Sequence, residues 1–84
     1  MAASYGYSLD REAVAALLEG SGRERQLLVD ACERISQFPF STGDFVVRDE
    51  DGREVELLDV GEFVITFWSD HAVKTVRILS IERV

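Results

Sequence analysis

Residues 27–40 read Leu27-Leu28-Val29-Asp30-Ala31-Cys32-Glu33-Arg34-Ile35-Ser36-Gln37-Phe38-Pro39-Phe40, and the fold turns on them. Leu27, Leu28, Ala31, Cys32 and Ile35 recur at helical spacing, with Arg25, Asp30, Glu33 and Arg34 off that stripe. This spacing predicts an amphipathic helix from about Arg23 to Gln37. Pro39 then ends it: proline has no N–H for the ladder and biases its predecessor towards extended backbone. Before Pro39 the apolar spacing is helical; after it the chain is β-branched and aromatic.

Upstream, Ala13, Val14, Leu17 and Leu18 predict one stripe of a first helix, with Asp10 as its N-cap. Gly20-Ser21-Gly22 breaks the two helices apart, and the short break implies an antiparallel helical hairpin. Tyr5-Gly6-Tyr7-Ser8-Leu9 alternates and reads as a short first strand. Downstream, Phe45 to Arg48 and Glu54 to Leu58 read as strands around Asp49-Glu50-Asp51-Gly52. Asp-Gly there predicts a tight hairpin turn with positive φ at both central residues. Val60-Gly61-Glu62 is a second turn and Phe63 to Trp68 a third strand of this half. Ser69-Asp70-His71-Ala72 is a third turn, and Val73 to Ile81 the last strand. The order is β-α-α-β-β-β-β. It predicts an α+β fold with a helical hairpin packed on one face of a mostly antiparallel sheet, as one domain over residues 1–84.

The chain has 84 residues, 16 acidic against 9 basic, net charge −7. A general nucleic-acid binder needs a basic face, so that class is excluded. Residues 1–40 hold 6 acidic and 4 basic groups, and residues 41–84 hold 10 and 5, so the strand-rich half is the more acidic. Cys32 is the one cysteine, which excludes an internal disulfide and a cysteine-based zinc site. The apolar run Ala13 to Leu18 is too short to span a bilayer. Met1 to Tyr5 carry neither a positive region nor an apolar stretch, so a cytoplasmic location is expected.

His71 beside Asp70, with Trp68 nearby, suggests acid–base chemistry; the plainer reading is a turn histidine bonded locally. One histidine among scattered carboxylates does not make a metal set, so neither metal nor cofactor is expected. Lys74 and Arg77, read as last-strand residues three apart, should face opposite sides of the sheet. Arg48 and Arg53 flank the first hairpin among Asp49, Glu50, Asp51, Glu54 and Glu56, which favours cross-strand ion pairing. Trp68 reads as core packing or as an interface anchor, with core slightly favoured. Cys32 reads as a buried small hydrophobe. Ser41-Thr42-Gly43 is a short loop without a phosphate-cradling pattern.

From about Arg25 onward the chain resembles the RelE/ParE superfamily of toxins from bacterial toxin–antitoxin pairs. The resemblance rests on the helix through Ile35, Phe38-Pro39-Phe40, Gly43-Asp44, the strand Val60-Gly61-Glu62-Phe63-Val64-Ile65-Thr66-Phe67-Trp68, the turn Ser69-Asp70-His71, and Val76-Arg77-Ile78-Leu79-Ser80-Ile81. It covers about two-thirds of the chain, mostly core and turn residues. It implies two possible activities: metal-free cleavage of mRNA at the ribosome, or inhibition of DNA gyrase. It also implies an antitoxin that wraps the toxin. Ribonuclease members orient the phosphate with sheet arginines and lysines, assisted by tyrosine or histidine. Carried over, those roles fall to Arg77, Lys74 and His71. Members often carry an arginine inside the central strand where this chain has Val64, and basic or aromatic residues after the last strand where it has only Arg83. The expected function is therefore a toxin-like protein that works by protein binding, with Trp68, Arg48 and Arg53 as partner-contacting residues. Its partner would be an antitoxin-like protein, basic to suit the acidic surface, or a second copy. The alternative is an active ribosome-dependent endoribonuclease or gyrase inhibitor.

Overall fold

The structure is a computed structural model and describes residues 5–40 and 43–84. Expectations resting on residues 1–4 and on Ser41 and Thr42 lie outside the described residues. The elements run β1 Gly6–Leu9, α1 Arg11–Glu19, α2 Gly22–Gln37, β2 Phe45–Arg48, β3 Glu54–Val60, β4 Phe63–Asp70 and β5 Thr75–Arg83. The five strands form one sheet in the order β1-β5-β4-β3-β2. β1 joins β5 in parallel, and every other pairing is antiparallel. Both helices pack on one face, so the expected α+β architecture stands.

Local chemistry accounts for the helix ends. Ser21 and Glu24 form a reciprocal capping box: the Ser21 hydroxyl accepts from the Glu24 N–H, and Glu24 Oε1 accepts from the Ser21 N–H. The Ser21-Gly22-Arg23-Glu24 spacing carries that signature in the sequence. Asp10 occupies the N-cap position of α1, but its side chain accepts no capping bond. The last carbonyls of α1 are met by Arg25, which donates to Leu17 O (3.0 Å) and Gly20 O (2.9 Å). A guanidinium suits that negative end of the helix dipole and ties the two helices together across the short break.

The core between helices and sheet takes Ala13 and Leu17 from α1, and Leu28, Ala31, Cys32 and Ile35 from α2. Phe63, Ile65 and Phe67 of β4 meet them, with Val76, Ile78 and Ile81 of β5. The stripes are narrower than expected. Val14, Leu18 and Leu27 are exposed, Leu18 by 74%. A sheet supports a helix along one line, so the flanking members of a wide stripe overhang it.

Along β5 the inward residues are 76, 78 and 81, which breaks strict alternation. Phe67 pairs with Ile78 while Thr66 pairs with Ser80, leaving Leu79 as the extra residue of a β-bulge. That insertion brings Ile81 inward rather than Ser80.

Two turns depart from expectation. In the first hairpin only Gly52 has positive φ (+81°), not both central residues. Gly52 N donates to Asp49 O, and the Asp49 carboxylate accepts from Asp51 N and Arg53 N. A three-residue loop, Glu50 to Gly52, closed by the Asp49 N to Arg53 O bond, needs just one left-handed residue. In the last turn, Lys74 lies outside β5 with φ +53°, so it is a turn residue rather than a strand residue. β4 continues through Asp70, and the turn spans 71–74 instead of 69–72. At the entrance to β2, a Cβ on Gly43 would stand 2.7 Å from Leu57 O, so only glycine fits. Among the described residues, no helix is long and apolar enough to cross a membrane.

Candidate functional site

Side-chain alternation divides the sheet into a helix-covered face and an open one. Phe63, Ile65 and Phe67 turn inward, so Val64, Thr66 and Trp68 lie on the open face. By register, Leu57 and Val55 of β3 and Phe45 and Val47 of β2 share it. On β5 it carries Arg77, directly opposite Trp68. Val55 is only 3% exposed yet belongs outside the helix-side core, so the open face has a small apolar layer of its own.

Trp68 is half-buried in that layer, and the Arg53 guanidinium sits 4.3 Å above its ring centre. This corrects the core reading of Trp68: on β4 the inward places go to residues of opposite parity. It also corrects Arg53, which stacks on an aromatic face instead of entering an ion pair. Arg48 does pair across the hairpin with Glu54 (3.5 Å), and it donates to Gly52 O (2.8 Å). Its side chain lies on the other face from Trp68, so the three expected partner-contacting residues do not converge.

The expected catalytic residues do not converge either. Arg77 lies on the open face with Asp10 Oδ1 at 3.9 Å. It pairs with none of Glu54, Glu56 or Glu62, because the parallel β1 brings Asp10 in beside it. Lys74 and His71 sit in the turn beyond the strand ends. The bond expected to hold His71 locally is long-range instead: Tyr5 Oη lies 2.8 Å from His71 Nδ1. The Phe40 ring stacks on His71 at 4.8 Å with planes 1° apart, and Tyr5 meets both rings edge-on. Asp70 is occupied locally, accepting from Ala72 N (3.2 Å). No acid–base pair aimed at a common point results.

Arg83, the one cation near the chain's end, is held as the last residue of β5. It reaches Glu24 at 2.9 Å and Glu62 at 3.3 Å, and its guanidinium lies over Phe63. The Arg83 hydrogen bond and the Ser21 N–H hold the Glu24 carboxyl down at about 2, and Glu24 raises the Arg83 pKa in turn. Burial, with a lesser push from Glu33, raises the Cys32 thiol to about 11, which makes it a core residue and not a nucleophile. Among the described residues, no three His, Cys, Asp or Glu side chains gather to hold a metal.

The sequence could have shown the Ser21–Glu24 box. It could not show Tyr5 and Phe40 at His71, because they are joined only by the folded sheet.

This fold is shared by chains of two solved RelE-containing complexes. A chain of the RelBE2 toxin–antitoxin complex from Mycobacterium tuberculosis superimposes with a TM-score of 0.81 at 19% identity, over 98% of this chain and 100% of the other. A chain of the archaeal RelE–RelB complex from Pyrococcus horikoshii OT3 gives 0.77 at 11% identity, over 96% of each chain. At such identities the likeness is one of fold. No family model matches the chain, and no curated protein does.

Proposed function

We propose that this chain is a toxin-like protein of RelE fold that acts by binding another protein, its open sheet face serving recognition rather than RNA cleavage. One observation carries the reading: the open face combines apolar side chains with the carboxylates of Asp59 and Glu82 where cleavage would need converging cations. Phe45, Val47, Val55, Leu57, Val64 and Trp68 share it, Arg53 is stacked on Trp68, and Arg77 lies beside Asp10. Phosphoryl transfer without a metal depends on preorganised positive charge around the phosphate. His71 and Lys74 stand beyond the strand ends, and the His71 ring is engaged by Tyr5 and Phe40. An antitoxin-like partner fits the fold likeness, since the similar structures include a toxin–antitoxin complex and a RelE–RelB complex.

The test is induced expression, with growth and mRNA integrity followed together, alongside cleavage assays in a translation extract. Intact mRNA at ribosomes and a stable protein complex are expected. Ribosome-dependent cleavage that disappears in Arg77→Ala would replace this reading with the endoribonuclease one.

A further inference from the structure

Both helices pack on one side of the sheet, so among the described residues no element covers the open face. Its apolar residues form a band across the strands. Phe45 and Leu57 lie level with Thr66, and by register Val47 and Val55 lie level with Trp68. The charges are sorted along the strands instead. At one end, Asp59 and Glu82 flank Val64 from either side. At the other, the Arg53 guanidinium lies 4.3 Å from the Trp68 ring centre and Arg77 stands opposite Trp68. Two acids share the arginine end. Asp70 is occupied by Ala72 N at 3.2 Å, and Asp10 reaches Arg77 only at 3.9 Å, leaving 46% of the Arg77 side chain exposed.

Sheets pack face to face about 10 Å apart through such apolar bands. Charge decides how a second copy of this chain would lie on the face. With a twofold axis along the strands, β3 of one copy meets β5 of the other. Arg53 then comes against Arg77 and Asp59 against Glu82, so like charges oppose each other. With the axis across the strands at Thr66, each strand lies over its own counterpart, running the opposite way. Arg77 then comes against Glu82 and Arg53 against Asp59, while Trp68 comes over Val64. Leu57 and Phe45 each meet the same residue of the other copy. The contact is isologous, so each charge pair occurs twice.

We propose that the free chain forms a twofold dimer in which the open faces of two copies pack together, strands antiparallel, about an axis at Thr66. This rests on the reading above that the open face recognises protein, and adds what occupies that face when no other protein does.

The test is sedimentation of the purified chain over a concentration series, with nuclear Overhauser contacts recorded in a mixture of labelled and unlabelled protein. A dimer is expected, with contacts from the Trp68 ring of one copy to the Val64 methyls of the other. Within one chain these residues stand ~13 Å apart along the strand, so the contact arises only between copies. Arg77→Glu alone and Glu82→Arg alone should each weaken the dimer at least about tenfold. The two together exchange the partners and should restore the affinity to within about threefold of the unaltered chain. Thr66→Lys sets two cations at the axis and should abolish the dimer with both charge pairs intact, which serves if a charge variant does not fold; circular dichroism checks each variant. A monomer at every concentration, a dimer without the Trp68 to Val64 contact, or no recovery in the double exchange would each overturn the proposal. If the chain stays monomeric while a host protein still binds its open face, the dimer falls and the partner-binding reading stands. If the dimer forms and ribosome-dependent cleavage is also found, that reading falls and the dimer stands.

Discussion

Cys32 is 1% exposed on the buried stripe of α2, and its raised pKa gives that burial a consequence. A thiol raised from 9.0 to about 11 is on the order of a hundredfold poorer in thiolate at neutral pH. Alkylation by iodoacetamide should therefore be slower in the native protein by at least about that factor and become fast in denaturant, read by mass spectrometry. The stability effect has a definite sign. The unfolded state loses its thiol proton first, so Cys32 contributes nothing to pH dependence below about 8 and lowers stability as pH rises from about 9 towards 11. Cys32→Ala should remove that alkaline decline in thermal melts. Trp68, Arg53 and His71 are harder to read from the sequence than Cys32. Their partners are set by strand parity and by contacts such as Tyr5 to His71, 66 residues apart, which no local pattern encodes.

At the scale of elements, every helix and strand of the sequence reading exists, and the errors lie where one residue resets a phase. β2 was bounded correctly because Asp44 and Asp49 punctuate it. β5 starts at Thr75 rather than Val73 because Lys74 adopts a left-handed turn conformation, it continues past Ile81 because Arg83 pairs with Phe63, and its inward phase shifts at the Leu79 bulge. Residue type marks neither the turn nor the bulge, since glycine or asparagine is the usual sign of left-handed backbone. How the elements join is also testable. Arg83 fastens the end of β5 to the first turn of α2 through Glu24, which also closes the capping box. The depressed Glu24 pKa means that this contribution is complete above about pH 4.5 and is lost as pH falls towards 2. Glu24→Gln should therefore lower the melting temperature at pH 7, and the gap from the unaltered chain should close between about pH 4.5 and 2. Because the pair is exposed, added salt should narrow the gap at neutral pH as well. A gap independent of pH would mean that the loss comes from the cap geometry alone and that the ion pair adds nothing.

For the whole molecule, the fold and the charge give opposite indications, and the charge is the more local of the two. The net −7 is not spread evenly: residues 44–59 alone carry −5. The sheet can be RelE-like in every pairing and still present an unfavourable field to polyanions. Val64 makes this concrete. It lies on the open face with Asp59 opposite it on β3 and Glu82 opposite it on β5. A guanidinium placed there would be neutralised by the two flanking carboxylates before it could meet a phosphate. Val64→Arg should consequently fold, losing no more than about 1 kcal/mol, as expected for a half-buried position with two ionic partners in reach. It should leave mRNA intact in a translation extract. Val64→Arg combined with Asp59→Asn and Glu82→Gln removes the neutralising pair while leaving the strands in register. If that triple variant cleaves mRNA and the single variant does not, the surrounding charge is what disables this face. If the single variant already cleaves, the acidic field is no barrier, and one missing cation is the whole difference between this chain and a ribonuclease of the same fold.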